Sequence, residues 1–473
     1  MSLPDVSITE PISLHRTGEP IRLTDLDLQA AQAAQALMIS FAQWANRNWR
    51  SLRPVESAKK PDALRLGLLG ASKIAPFAAI LPAKSHPEVI VAAVAARDPE
   101  RAQAYAKLHG IPIVHLSYQA LLDDSAIDVV YVALPISLHY EWAMKALKAG
   151  KHVLLEKPST SNASEARTLF RNPLVADSAE TIVHDKASLV ILDAVHVRFH
   201  PAWQKFLSLI DSSTIAEAIS THHLPKGSLP DDDIRFQYAL SGGCLMDFGS
   251  YNVQTLRQVF GAEPIECVEA NARRMPAGLD KNIDQAFAAT WRFPNGGSGS
   301  IVSDFAATGG YPLQWLTKGL PAFKLPMCSV RHREKIIQRP DLQDMEEAIT
   351  KTVIFWNFTF ASIWHRIDVV EEHFLRHTAD GRIHRKWVDK EYFKQYKYTD
   401  SHGDDTWTTY RYQLEQFVNQ VRGRRGSGVW IDGEDSIRQM EMIDQAYQKA
   451  GMLLRPSSSY KDDQHEGESI VRS

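Results

Sequence analysis

Five short apolar runs are separated by stretches of helical spacing: LRLGLLG at 64–70, VIVAAVAA at 89–96, DVVYVALP at 128–135, HVLLE at 152–156 and LVILDAV at 189–195. A strand that is apolar along its whole length must be covered on both faces. Helices between consecutive strands supply that cover when the strands run parallel. The pattern therefore predicts an α/β chain whose N-terminal domain is a Rossmann-type, doubly wound parallel sheet at residues 62–180. With 473 residues the chain is too long for one ordinary core. Beyond residue 200 the regular alternation stops. Segments such as IDQAFAATWRF and SGSIVSDF are more polar and aromatic, which suits an antiparallel sheet with one wetted face. They predict a C-terminal α+β domain over 181–455, built on a mostly antiparallel open sheet. Residues 311–400 show no clean period and read as a large insertion. Helices return at 408–424 and 433–452, with Gly451 as the C-cap of the last.

The flanks differ in character. Residues 1–61 form an extension in which Leu26, Ala30, Ala33, Ala34, Leu37, Phe41 and Trp44 recur at helical spacing behind a Thr24 N-cap, predicting an amphipathic helix. Such a helix packs on its own domain, or docks on a partner subunit or a membrane surface. Residues 456–473 hold too few apolar side chains to order themselves and read as a disordered tail. The 53 Lys and Arg against 56 Asp and Glu give a formal charge of −3, so no overall positive field exists to hold nucleic acid or an anionic membrane. No apolar stretch reaches the length of a membrane span, and Cys244, Cys267 and Cys328 are too scattered for a disulfide framework. A cytoplasmic protein without an integral membrane segment is expected.

The chemistry should lie where the parallel strands end. The first run leads into Gly70-Ala71-Ser72-Lys73-Ile74-Ala75, a turn whose backbone can approach a pyrophosphate at a helix N-terminus. Ser72 stands where the second glycine of GxGxxG would be. Arg97 ends the second run, where an acidic residue would bind the ribose hydroxyls of NAD and an Arg can pair with a 2′-phosphate. It points to NADP, with NAD possible; alternatively Arg97 faces solvent beside a helix capped by Asp98 with Pro99 at its first position. Glu156-Lys157-Pro158 follows another strand, where ligands bind, so Lys157 is a candidate proton carrier. Asp247 and Tyr251 are four residues apart and share a helix face if their segment is helical. His196 with His200, or His222 with His223, lack the Cys or carboxylate companions of a metal site, and no metal is expected.

The chain resembles the Gfo/Idh/MocA family of glucose-fructose oxidoreductases and inositol dehydrogenases, and within it the dihydrodiol dehydrogenase and NADP-dependent D-xylose dehydrogenase group. The resemblance is carried by LRLGLLGASKIAP, VAARDPERAQAYA, DVVYVALPISLHYEWAMKALKAGKHVLLEKP, RFHP and GGCLMDFGSYNVQTLRQVFG, in family order over roughly residues 64–261. It implies that Gly70, Ser72, Lys73, Ile74, Arg97, Leu134, Pro135, His139, Glu156, Lys157 and Pro158 meet the cofactor. Ile136 replaces an Asn that usually precedes the His139 position. The resemblance further implies that Lys157 accepts or donates the proton, directly or through Tyr251, that Asp247 positions the substrate, that Tyr251 orients the substrate hydroxyl or shares its proton, and that Arg198 and His200 line the substrate side. The expected activity is NADP-dependent hydride transfer to or from a sugar, diol or other secondary alcohol by a homodimer. The alternative within the resemblance is a non-catalytic, dinucleotide-binding transcriptional regulator.

Overall fold

The computed structural model describes residues 41–175, 182–183, 186–309, 319–339, 341–342, 344–399 and 403–461. It comprises two units, the first ending at Trp49 and the second beginning at Arg50. In the first, residues 41–49 are helical; Thr24 and the earlier part of the expected helix lie outside the described residues.

All five apolar runs are strands of one parallel sheet. These are β1 (Leu64–Leu69), β2 (Val89–Ala95), β4 (Val129–Val132), β5 (His152–Leu155) and β6 (Ile191–Asp193). The order is β3-β2-β1-β4-β5-β6, with every pair parallel. The sixth strand, β3 (Ile113–His115), is only three half-buried residues long and leaves no apolar run to read. Strand β6 carries the sheet past residue 180, where the domain was expected to end. A short antiparallel pair, Ile182–Val183 with Lys186–Ala187, intervenes before it. Helices cover both faces: α1 (Leu81–Lys84, entered through a π turn at Pro76–Ile80), α2 (Pro99–His109), α3 (Tyr118–Leu122), α4 (His139–Lys148) and α5 (Ala163–Phe170).

The second sheet has nine strands: β7 (Ile215–Pro225), β8 (Glu266–Arg274), β9 (Asp284–Arg292), β10 (Ser298–Ala307), β11 (Met327–His332), β12 (Lys335–Gln338), β13 (Met345–Trp356), β14 (Arg366–His377) and β15 (Ile383–Phe393). The main path is β8-β9-β10-β7-β11-β13-β14-β15, with β12 paired to β13. All pairs are antiparallel except β10 with β7. Residues 311–400, expected as an insertion without a period, thus supply β11 to β15 and extend this sheet. Edge strand β15 is polar and almost wholly exposed, as an edge that must not pair with other chains requires. Helix α6 (Pro201–Ser208) joins the sheet through an aromatic cluster in which Trp203 and Phe206 pack on Phe355 and Phe358. Burying rings of this size contributes on the order of 2–3 kcal/mol each.

Helix α7 (Ser250–Phe260) follows a π turn at Leu245–Gly249; α8 (Thr409–Val421) packs on α1 and the π turn before it, and α9 (Gly433–Lys449) packs on α5, α7 and β8. Thr408 and Asp432 cap α8 and α9 through Arg411 N and Asp435 N. Gly451, at φ 62°, lies one residue beyond the actual C-cap, Ala450. Of the tail expected over 456–473, residues 456–461 continue the described chain, and 462–473 lie outside the described residues. Asn162 Nδ2 donates to Arg455 O at 3.1 Å and to Ser457 Oγ at 3.0 Å, and Ser458 N donates to Glu165 Oε1 at 2.6 Å. These backbone and side-chain bonds order a segment that hydrophobic composition alone would leave free. Among the described residues no helix is long and apolar enough to cross a membrane.

Candidate active site

At the end of β1, Gly70 adopts φ 101°, and a Cβ there would lie 3.1 Å from both Ala133 O and Leu134 Cδ2. A side chain would be strained in conformation and would crowd the end of β4, so the turn needs glycine. Ser72 Oγ accepts from Ala75 N at 3.2 Å, so one helix-entry amide is already satisfied. Lys73 and Ile74 are exposed. Asp98 caps α2 through Glu100 N and Arg101 N, with Pro99 at the first position, while Arg97 is exposed at the tip of β2. Arg101, which sequence spacing did not single out, reaches back to donate to Ala71 O at 2.9 Å.

Across the crevice, His139 joins two strand ends. Its Nε2 lies 2.9 Å from Leu134 O and its Nδ1 3.0 Å from Pro158 O, next to the cis Lys157–Pro158 bond. Burial pushes the imidazole down to about 4 against the pull of these carbonyls, so it is neutral at pH 7 and donates to one of them at a time. Glu156 is buried and accepts from Tyr131 Oη at 2.5 Å. Burial raises its carboxyl, opposed by the Tyr131 hydrogen bond and the charge of Lys157.

Lys157 projects from the end of β5 to the π turn that enters α7. Its Nζ donates to Asp247 Oδ1 at 2.5 Å and to Asp247 O at 3.3 Å, and lies 4.5 Å from the centroid of the Tyr251 ring. Arg235 Nε holds the other carboxylate oxygen at 2.6 Å. Burial works to raise the Asp247 carboxyl, but the charges of Lys157 and Arg235 overcome it and hold the group well below the usual carboxylate range. Tyr251 Oη lies 2.8 Å from His196 Nε2, and His196 Nδ1 lies 2.8 Å from Thr409 Oγ1. The ring of His222 stacks on Phe248 at 3.9 Å and stands 5.9 Å from that of Tyr251.

The turn presenting Asp247 is fixed from below. Gly243 has φ 130°, and a Cβ on it would overlap Arg455 Nη2, Asp284 Oδ1 and Tyr447 Oη. Arg455 Nε donates to Gly242 O at 2.6 Å and Nη2 to Asp284 Oδ1 at 2.5 Å, while Asp284 Oδ2 accepts from Leu245 N at 2.6 Å.

The structure thus brings Lys157, Asp247 and Tyr251 together, with Gly70, Leu134, Pro135, His139 and Glu156 at the neighbouring strand ends. It does not bring Arg198 and His200 into that group. Arg198 is paired with Asp435, and its carbonyl accepts from Gln204. His200 caps α6 by accepting from Ala202 N at 3.2 Å, and its ring packs against those of His365 and Tyr412. Among the described residues no group of three or more His, Cys, Asp or Glu is placed to hold a metal. Sequence reasoning missed Arg235 and Arg455, which act over distances that local spacing does not report, and saw His196 only as a metal candidate.

Two family profiles match the chain. One, an oxidoreductase family with an NAD-binding Rossmann fold (Gfo/Idh/MocA), covers residues 64–178; the other, the Gfo/Idh/MocA C-terminal domain, covers 203–319. The chain is 27% identical over 390 residues to D-xylose 1-dehydrogenase (NADP(+)) 2 of Haloferax volcanii, covering 82% of this chain and 97% of that protein. It is 30% identical over 241 residues to trans-1,2-dihydrobenzene-1,2-diol dehydrogenase of Sus scrofa, covering 51% of this chain and 68% of that one. Among solved structures, a 3-ketoreductase from Actinomadura kijaniata in complex with NADP and TDP-benzene superposes with a TM-score of 0.57 at 22% identity, over 82% of this chain and 98% of that one. That last likeness is one of fold.

Proposed function

The chain belongs to the Gfo/Idh/MocA oxidoreductase family, and we propose that it transfers a hydride between NADP and a sugar, diol or other secondary alcohol, with Lys157 as the proton carrier. The observation that supports this reading most is the placement of Lys157 Nζ at the carboxyl end of β5, tied to Asp247 of the second domain. The turn at Gly70 fits a dinucleotide: backbone without a side chain lies against the end of β4, beside a helix entry. The resemblance and the NADP-dependent relative support the choice of NADP, and Arg97, exposed at the tip of β2, is available to a 2′-phosphate.

The nicotinamide, when bound, supplies or accepts the hydride. The side chains handle the proton and the geometry. An ammonium has three N–H donors. Two of those on Lys157 are committed to Asp247 Oδ1 and O, which leaves one for a substrate oxygen. In reduction Lys157 hands that proton to the carbonyl oxygen as the carbon gains hydride; in oxidation it takes the hydroxyl proton back. Asp247, held by Arg235, keeps the amine aimed. Tyr251 bonds the same substrate oxygen and orients it.

The test is Lys157→Ala. Expected is unchanged NADPH affinity by fluorescence titration with turnover lowered on the order of a hundred- to ten-thousand-fold across a panel of sugars and diols. Turnover within about threefold of the parent protein would remove the assigned role.

A further inference from the structure

We infer that His196 is a positioning residue for this reaction, fixing the direction in which the Tyr251 hydroxyl proton points. The inference rests on the reading above that Tyr251 meets the substrate oxygen.

His196 opens the short 3-10 turn His196–Phe199 just after β6, at the carboxyl end of the parallel sheet, and is 3% exposed. Both ring nitrogens are engaged at 2.8 Å, Nε2 by Tyr251 Oη and Nδ1 by Thr409 Oγ1. Burial, with the charge of Lys157 adding to it, pushes the imidazole down to about 3, so the ring is neutral and carries a single proton. Two arrangements are then open. With the proton on Nδ1, the ring donates to Thr409 and takes the Tyr251 hydroxyl proton into Nε2, turning that proton away from the cleft. With the proton on Nε2, the ring donates to the Tyr251 oxygen and leaves the phenolic proton for a ligand.

Thr409 decides between them. Among the described residues its hydroxyl meets no hydrogen-bond partner but Nδ1, and a buried hydroxyl keeps its proton satisfied only by donating. Its hydroxyl proton therefore goes to Nδ1, which places the imidazole proton on Nε2. Tyr410, whose ring lies 4.0 Å from that of His196, meets the Tyr251 hydroxyl from the other direction, as an acceptor. The Tyr251 oxygen thus accepts from His196 and keeps its own proton to give. That proton goes to Tyr410 in the free site and to the substrate oxygen beside Lys157 when a ligand displaces it. The chain of donors runs Thr409 to His196 to Tyr251 to substrate, and every link keeps one proton.

The tautomer can be read without turnover. In protein labelled with nitrogen-15 at histidine, the resonances that vanish in His196→Phe should show a protonated Nε2 and an unprotonated Nδ1. A proton on Nδ1 in the parent protein, or a doubly protonated ring, would overturn the inference. In steady-state kinetics His196→Phe should lower kcat on the order of ten- to a hundredfold with NADPH affinity unchanged, and His196→Gln, whose amide can reproduce the Nε2–H donor, should recover most of it. In a Tyr251→Phe background, His196→Phe should cost less than about threefold more. Full additivity, or no rescue by Gln, would reduce His196 to a packing role. These outcomes separate from the Lys157 test: if Lys157→Ala keeps its turnover, the functional reading falls while the tautomer still decides the role of His196.

Discussion

Replacing Arg455 by Met should destabilise the protein through one buried ion pair and reveal how the Asp247 turn is held. The Arg455 and Asp284 side chains are both fully excluded from solvent. Arg455 donates to Asp284, Tyr447 and Gly242 O at 2.5, 2.8 and 2.6 Å. Met fills comparable space but supplies no donor, leaving a carboxylate buried without its cation. Removing one partner of such a pair costs about 3–5 kcal/mol, a large share of the roughly 5–15 kcal/mol that a domain has in total. At about 2–4 °C per kcal/mol for a domain of this size, the melting temperature should fall on the order of 10 °C. The deficit should also depend on pH. Burial already raises the Asp284 carboxyl, with Arg455 opposing it, and losing Arg455 raises it further. A carboxyl raised by folding contributes stability that is complete below its unfolded pKa and lost as pH rises through the folded one. The difference in melting temperature between variant and parent, measured by scanning calorimetry, should therefore be smaller near pH 5 than near pH 8. A melting temperature within about 2 °C of the parent at neutral pH would refute the reasoning.

Asp444 accepts from Ala163 N at 2.9 Å, joining α9 to the start of α5, and burial raises its carboxyl to about 6. Its contribution to stability is present below the unfolded pKa of 3.8 and lost as pH climbs through about 6. Asp444→Asn should remove that part of the pH dependence, and identical melting-temperature profiles for variant and parent between about pH 4 and pH 7 would contradict it. Arg97→Ala should weaken NADP binding about ten- to a hundredfold, measured by calorimetry, and leave NAD affinity nearly unchanged. An equal loss for both cofactors would mean that Arg97 does not face the 2′-phosphate.

The parallel sheet was legible because its strands are buried on both faces and so appear as unbroken apolar runs; β3 escaped because three half-buried residues make no run. The outer half of the second sheet was hidden by its own polarity. Strand β14 buries Ile367, Val369 and Leu375 in alternation, but its neighbour β15 is exposed along nearly its whole length and has no core face to register. Lys157 could be found because a strand end marks it, and Asp247 and Tyr251 because the segment that carries them resembles the family's. Arg235, His196 and Arg455 could not. Arg235 sits in a short turn without a motif, His196 meets Tyr251 from 55 residues away, and Arg455 meets Gly242 from 213 away. Local periodicity carries no information about such pairings.

The bonds from Asn162 and Glu165 to Ser457 and Ser458 span 295 and 293 residues. During synthesis, an early domain must therefore wait for almost the last described residues before its final hydrogen bonds close. A ribosome that stops after Phe393 but before codon 455 releases a polypeptide with the strands of both sheets but no cation beneath Gly243. The fold thereby couples competence to completeness: a prematurely terminated product would retain the nucleotide turn and lack a rigid second wall for the reaction.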